Sequence, residues 1–349
     1  MNLSCGLVGL PNVGKSTIFN ILTKKNIAAA ENYPFCTIEP NIASVIVENA
    51  KLEKLAHISK SKKIIPTMIK FTDIAGLVKN ASKGEGLGNK LLSHIRECNV
   101  IIHILRCFEN KDITHVENRI DPLNDYELIN LELMLSDLAQ CEEMIKSKKR
   151  TNQEKEIIKQ AIENLKNEKM LNQNIWNNDE IELFKQIGLL TYKKMIVVAN
   201  VNNDIDENLF NKIKHLNPIK LFVENEQLLQ SAANEEELEM FKEEFNLKES
   251  GIDNLINAAF DALNLITFFT TGEKETKAWK VMKGSSMQKA AGCIHSDFEK
   301  HFINAEIIKY HDFIEHNGWN KAKEKGLLKI CSKTEEINDN DICLFKIGA

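Results

Sequence analysis

An α/β fold, doubly wound about a mostly parallel sheet, is what this sequence predicts, and three observations predict it. Six short β-rich runs are separated mostly by helical patterns, several runs are continuously apolar, and a glycine-rich loop closes the first. Continuously apolar runs suit strands buried on both faces of a parallel sheet, and strands alternating with helices build βαβ units.

The six runs cover residues 4–10, 42–47, 67–72, 100–105, 195–199 and 219–223. The alternation breaks after Pro122. From Leu123 to Asn217 there is no proline, and Leu128, Leu131, Leu135, Leu138 and Ile145 recur at mostly helical steps. Ile158, Ile162 and Leu165 form a second stripe, with the polar run 146–152 between the two. Two antiparallel helices, inserted between the fourth and fifth strands as a projecting arm, account for this pattern. After about Leu265 short alternating runs resume, with one helical segment near residues 287–291. That predicts a small α+β domain. The expected division is 1–125 with 191–265 for the sheet domain, 126–190 for the helical hairpin and 266–349 for the last domain.

A chain of 349 residues exceeds what one hydrophobic core usually serves. Its 43% hydrophobic and 27% charged residues are those of an ordinary globular protein. A formal charge of -5 excludes a polycation, so any nucleic-acid contact is local. No apolar run reaches the ~20 residues that span a bilayer. The first five residues lack the basic start and cleavage site of a signal peptide. The eight cysteines show no CxxC spacing and read as scattered thiols of a reducing compartment. The expectation is a cytoplasmic monomer with neither a membrane nor DNA as partner.

Residues 9–17, Gly-Leu-Pro-Asn-Val-Gly-Lys-Ser-Thr, match G-x-x-x-x-G-K-[ST] between an apolar strand and a helical segment, the context this phosphate loop requires. Gly9 and Gly14 let the backbone turn so that successive N–H groups face phosphate oxygens. Asn12, Val13, Gly14, Lys15, Ser16 and Thr17 are the nucleotide-binding residues read here, Lys15 reaching the β- and γ-phosphates and Ser16 ligating Mg²⁺. Asp73-Ile74-Ala75-Gly76, ending the third run, places Asp73 to hold a water on Mg²⁺ and the Gly76 N–H to meet the γ-phosphate. Thr37, between the first helix and the second strand, can complete the Mg²⁺ shell. The glycine-rich residues 83–88 have the character of a switch loop.

Together these segments resemble the YchF family of Obg-like ATPases, P-loop proteins related to translation factors. The resemblance spans essentially the whole chain. It rests on residues 9–16, on Tyr33-Pro34-Phe35-x-Thr37-Ile38-x-Pro40-Asn41, on 73–78, on 84–89 and on Asp112-Ile113-x-His115-Val116. Ala278-Trp279, the run 290–300 and Phe302-Ile303-x-Ala305-Glu306 resemble that family's β-grasp-like TGS domain. The resemblance implies ATP hydrolysis with Mg²⁺ and association with the ribosome through large-subunit RNA or protein. It offers His115 as a catalytic group, since Leu77 stands where related GTPases carry a water-orienting Gln. A surface histidine is the other reading of His115. Asn12 resembles the loop Asn that holds K⁺ beside the phosphates.

The fifth run ends in Ala199-Asn200-Val201-Asn202-Asn203-Asp204. A guanine site uses NKxD, whose carboxylate accepts two N–H groups at once. Val201 and Asn203 disfavour that reading, while Asn200 can pair with adenine. The family usually has NxxE, so Asn203 is a departure, and Asp204 is a substitute if the loop slips by one residue. Residues 222–225, Phe-Val-Glu-Asn, also lack the usual Ser-Ala pair. ATP is the expected ligand, with a GTP-hydrolysing assembly factor as the alternative and a ligand sensor without turnover as a third. The basic tip Lys146, Lys148, Lys149 and Arg150 suits either RNA phosphates or a solvated helix end.

Overall fold

The computed structural model describes residues 3–30, 41–74, 87–110, 119–203, 205–245 and 250–348. The calls on Thr37, Gly76, Leu77, His115 and Asp204 lie outside the described residues.

The first half runs β1 (Ser4–Val8), α1 (Lys15–Ala30), β2 (Ile42–Val47), α2 (Ala50–Ser59), β3 (Ile64–Ile65), β4 (Thr67–Asp73), α3 (Leu87–Glu97) and β5 (Val100–Arg106). Then come α4 (Pro122–Met144), α5 (Asn152–Lys166), α6 (Asn178–Ile187), β6 (Lys194–Val201), α7 (Glu207–Ile213) and β7 (Ile219–Phe222). Helices α8 (Val223–Leu229), α9 (Glu235–Glu244) and α10 (Gly251–Ala262) close this part. The remainder is β8 (Leu265–Thr271), β9 (Thr276–Met282), α11 (Met287–Ile294), α12 (Ser296–Lys300), β10 (Phe302–Lys309), α13 (Tyr310–Glu315), α14 (Trp319–Glu324), β11 (Lys329–Cys331) and β12 (Asp341–Ile347).

All six expected runs pair in one sheet, ordered β2-β4-β1-β5-β6-β7, parallel except for β2 against β4. Strand β5 is buried at every position, the consequence of helices on both faces and strands on both sides. From β1 the chain first builds toward β4 and later toward β5, so the strand order reverses between β1 and β5. Ligands bind at such a switch point, beyond the carboxyl ends of the strands. The phosphate loop follows β1 there, and residues 9 and 10 belong to that loop rather than to the strand.

One core residue is a histidine. His103 on β5 is fully buried, stacks on Tyr126 at 5.4 Å, and neither ring nitrogen has a hydrogen-bond partner among the described residues. Burial, and then the charge of Lys15, push its pKa down to about 3. The folded value therefore lies below the unfolded one near 6.5, and the unfolded chain binds more protons between the two. The stability from a neutral His103 is complete above about pH 6.5 and is lost toward pH 3 at about 1.4 kcal/mol per pH unit. His103→Leu is expected to flatten this acid limb, read from urea midpoints at pH 7, 6 and 5. An unchanged slope would mean that His103 does not set it.

The second sheet has the order β11-β10-β12-β8-β9-β3. One face packs Phe268, Val281, Ala305, Ile307 and Phe345 against Met287, Ala290 and Ala291 of α11. The other packs Phe269, Ala278, Ile308 and Ile342 against Leu52 and Leu55 of α2 and Phe313 of α13. Helix α2 and strand β3 lie within the stretch 1–125 assigned on sequence to the first unit, yet they join the second sheet. β3 pairs in parallel with β9, Ile64 opposite Thr276 and Ile65 opposite Lys277. The excursion between β2 and β4 thus stitches the two sheets.

The insertion holds the two expected helices, α4 and α5, and a third, α6, which the sequence reading passed over. Thr151 and Asn177 cap α5 and α6 by reciprocal hydrogen bonds with Glu154 and Glu180. The leucine stripe read for α4 needs correction. Leu131 and Leu135 are 42% and 40% exposed, while Ile129, Leu133, Ser136, Asp137 and Cys141 are buried. Positions two apart point to nearly opposite sides of a helix. The buried face was missed because half of it is polar. Ser136 accepts from Arg96 of α3 at 3.0 Å, and Asp137 accepts from Leu190 and Thr191. Ile158 and Leu165 of the second stripe are buried as read. At the turn Arg150 pairs with Glu154 at 2.9 Å, which leaves Lys146, Lys148 and Lys149 as its exposed cations.

Candidate nucleotide site

The loop after β1 turns through two conformations that few residues adopt. Asn12 has φ 62°, in the left-handed region that Asn tolerates, and Gly14 has φ 102°. A Cβ on Gly14 would also lie 2.4 Å from Asn200 Nδ2, so position 14 admits only glycine. The approach is close because Asn200, at the end of β6, donates its amide to the Val13 carbonyl at 3.0 Å. Lys15 opens α1, is 7% exposed, and donates to the Leu10 carbonyl at 2.6 Å. Burial lowers its pKa to about 8 against the opposing pull of Asp73.

Ser16 Oγ donates to Asp73 Oδ2 at 3.4 Å. The other carboxylate oxygen, Asp73 Oδ1, is buried without a hydrogen-bond partner among the described residues. Burial raises the Asp73 pKa, and the Lys15 charge and the Ser16 hydroxyl oppose it. An unsatisfied buried oxygen is costly, and a carboxylate with one such oxygen, its other oxygen at a hydroxyl, suits a hard divalent cation. Ser16 and Asp73 thus fit the Mg²⁺ chemistry expected of them.

Beside this cluster opens a cavity of about 380 Å³, lined by Asn12, Gly14 and Thr17 on the phosphate side. Asn200, Val201 and Asn202 from β6, Phe108 beyond β5, and Val223, Glu224 and Gln227 from α8 form the rest. Buried Arg106 positions Phe108, donating to its carbonyl at 3.2 Å and stacking on its ring at 4.7 Å. Phe108, Val201 and Val223 are the apolar part of that lining, among polar side chains that can fix a ligand's orientation.

The chain matches a family model described as "50S ribosome-binding GTPase" over residues 4–137. It matches the YchF-GTPase C-terminal model, described as "Protein of unknown function (DUF933)", over residues 265–348. Among curated relatives, "Ribosome-binding ATPase YchF" of Haemophilus influenzae is 43% identical over 100% of both chains. Its namesake in Bacillus subtilis is 41% identical, again over 100% of both. The chain belongs to the YchF family. A solved structure, that of the Schizosaccharomyces pombe YchF GTPase, superposes with a TM-score of 0.88 at 33% identity. It covers 99% of this chain and 98% of that one.

In this YchF-family chain two clusters stand out. Asn12, Gly14, Thr17, Asn200 and Val201 meet around the cavity, and Lys15, Ser16 and Asp73 form the neighbouring polar cluster. Val13 has its side chain wholly in the core, so only its backbone reaches the site. Phe108 and Gln227 carried no signal in the motif reading. Their place just past the carboxyl ends of β5 and β7 is the clue that could have found them.

Proposed function

We propose that this chain hydrolyses ATP with Mg²⁺ and that its nucleotide state sets its affinity for the ribosome. The observation that carries the reading is the pair Ser16–Asp73 beside buried Lys15, next in the chain to Gly14 and Thr17, which line a cavity of about 380 Å³. The names of the full-length relatives supply ATP and the ribosome. Lys15 binds the β- and γ-phosphates, and the loop N–H groups from Val13 to Thr17 share their charge. Ser16 and Thr37 would hold Mg²⁺, with Asp73 reaching it through a water, and the ion would supply charge neutralisation for the phosphates. The Gly76 N–H meets the γ-phosphate, and water attacks in line. Leu77 offers that water no hydrogen bond, which leaves His115 to orient it and makes intrinsic turnover slow. Asn12 would hold K⁺, which would supply positive charge beside the phosphates.

The residue division 1–125 with 191–265, 126–190 and 266–349 is the proposed domain plan, with α2 and β3 serving the last unit. The protein works as a cytoplasmic monomer, without membrane or DNA. Lys146, Lys148 and Lys149 are the cations it turns toward ribosomal RNA.

Single-turnover hydrolysis tests the reading. ATP is expected to be cleaved faster than GTP, and faster in K⁺ than in Na⁺. Co-sedimentation with ribosomes is expected to depend on the nucleotide and to weaken as salt rises. No cleavage above the blank would leave a ligand sensor, and faster GTP cleavage would leave a GTPase.

A further inference from the structure

Strand β5 ends on a buried cation. Arg106 is fully buried and stands in register opposite Asn200 of β6, whose amide holds the Val13 carbonyl of the phosphate loop. Its Nε donates to the Phe108 carbonyl at 3.2 Å and its Nη2 to the Asn110 carbonyl at 3.1 Å. The guanidinium also lies 4.7 Å from the centre of the Phe108 ring. One planar group thus engages residues 108 and 110 together, with donors set at fixed angles. If that segment moved away, a buried cation would lose two acceptors at once, which is costly. The segment is therefore held to one shape, and in that shape Phe108 lines the cavity.

The same cation meets the root of the arm. Asp125, 2% exposed, lies in the first turn of α4. Leu123 and Tyr126, on either side of it in the chain, pack against the cluster that contains Leu105 and Cys107. Burial lowers the Arg106 pKa, and the Asp125 charge pulls it back. Arg106 therefore stands between the cavity wall and the helix that carries the arm.

We infer that Arg106 is a positioning residue for the nucleotide, fixing the cavity wall at residues 108–110, and that Asp125 makes this hold depend on the root of the arm. The inference rests on the nucleotide-hydrolase reading above. Arg106 is not among the residues that line the cavity, so it acts through Phe108. A wall in place only a tenth of the time weakens apparent affinity tenfold, yet a bound nucleotide selects the wall in place. The effect thus falls on affinity and leaves the rate at saturation alone. By reciprocity, whatever displaces the first turn of α4 weakens nucleotide binding, and a bound nucleotide steadies that turn.

Three variants of the full-length protein test this. They are read by calorimetric affinity for ATP with Mg²⁺, by single-turnover hydrolysis and by melting without nucleotide. Arg106→Lys keeps the charge that faces Asp125 and loses the planar fork. It is expected to weaken ATP binding about tenfold, the scale of one charge-assisted hydrogen bond, with the rate at saturating ATP within about twofold of the parent. Asp125→Asn keeps the shape and removes the charge, and is expected to weaken ATP about threefold. Asp137→Ala, farther along α4, is the control. It lowers the melting temperature and is expected to leave ATP affinity within about twofold where the protein is folded.

ATP affinity unchanged in both Arg106→Lys and Asp125→Asn overturns the inference. So does a loss confined to the rate at saturation, or an affinity that falls equally in Asp137→Ala and therefore follows stability. A loss in Arg106→Lys with none in Asp125→Asn overturns the link to the arm. If Arg106→Lys does not fold, Asp125→Asn decides. Absence of ATP binding by the parent would remove the nucleotide reading as well, whereas parent binding with unmoved variants removes this inference alone.

Discussion

Lys15→Ala is expected to lower single-turnover ATP hydrolysis by roughly 10²–10³-fold, the usual effect of deleting one group that stabilises transition-state charge. Set against a slow parent rate, that is no measurable turnover. The ammonium sits at the start of α1, only 7% exposed, and its Leu10 hydrogen bond holds it in the loop. It is held there at some cost, since burial pulls its pKa down to about 8. A triphosphate adds negative charge to that of Asp73, which alone does not offset the burial of Lys15. The variant should therefore melt no lower than the parent, which separates lost chemistry from lost fold. Normal turnover in Lys15→Ala would sink the assignment of the site.

Asp137→Ala is expected to destabilise the protein by about 3–5 kcal/mol, lowering the thermal midpoint on the order of 10 °C. Asp137 is fully buried on α4 and accepts from Leu190 N, Thr191 N and Thr191 Oγ1 at 2.7–2.9 Å. These bonds tie α4 to the chain as it leaves the insertion and enters β6. Alanine leaves two backbone N–H groups and a hydroxyl buried without acceptors, in addition to a void. Burial raises the Asp137 pKa to about 6, while the donors from Thr191 and Leu190 and the nearby Arg96 oppose the rise. Asp137→Asn can keep the oxygen that receives three of the bonds and sheds the charge. Its expected loss at pH 7 is below about 1.5 kcal/mol. Equal losses in both variants, read by calorimetric melting, would mean that charge rather than hydrogen bonding matters there.

Around the same strap lies the connection between site and arm. Helix α3 follows the Asp73 loop in sequence. Its Arg96 donates to Ser136 of α4 and to the Gly188 carbonyl beyond α6. Lys193, 4% exposed, donates to the carbonyls of Ile95, Arg96 and Cys98 at the end of α3. None of this was legible in the sequence. A hydrophobic period finds leucines, but the face of α4 that packs is defined by partners far along the chain. The stripe through Leu131 and Leu135 was consequently assigned to the wrong side.

The sequence by itself determined the phosphate loop, the Asp-x-x-Gly motif that begins at Asp73, and the six strands of the first sheet. Each is written in contiguous residues, as a motif with fixed spacing or a run of apolar side chains, so local physics suffices to read it. Tertiary structure alone decided that α2 and β3 join the second sheet, that Phe108, Glu224 and Gln227 wall the cavity, and that Asn225 engages Asn203. Those facts depend on strand order, which brings the ends of β5, β6 and β7 together although more than a hundred residues separate the first from the last. Contacts between distant segments leave no period or spacing in the chain, and they become visible only when the sheet is assembled.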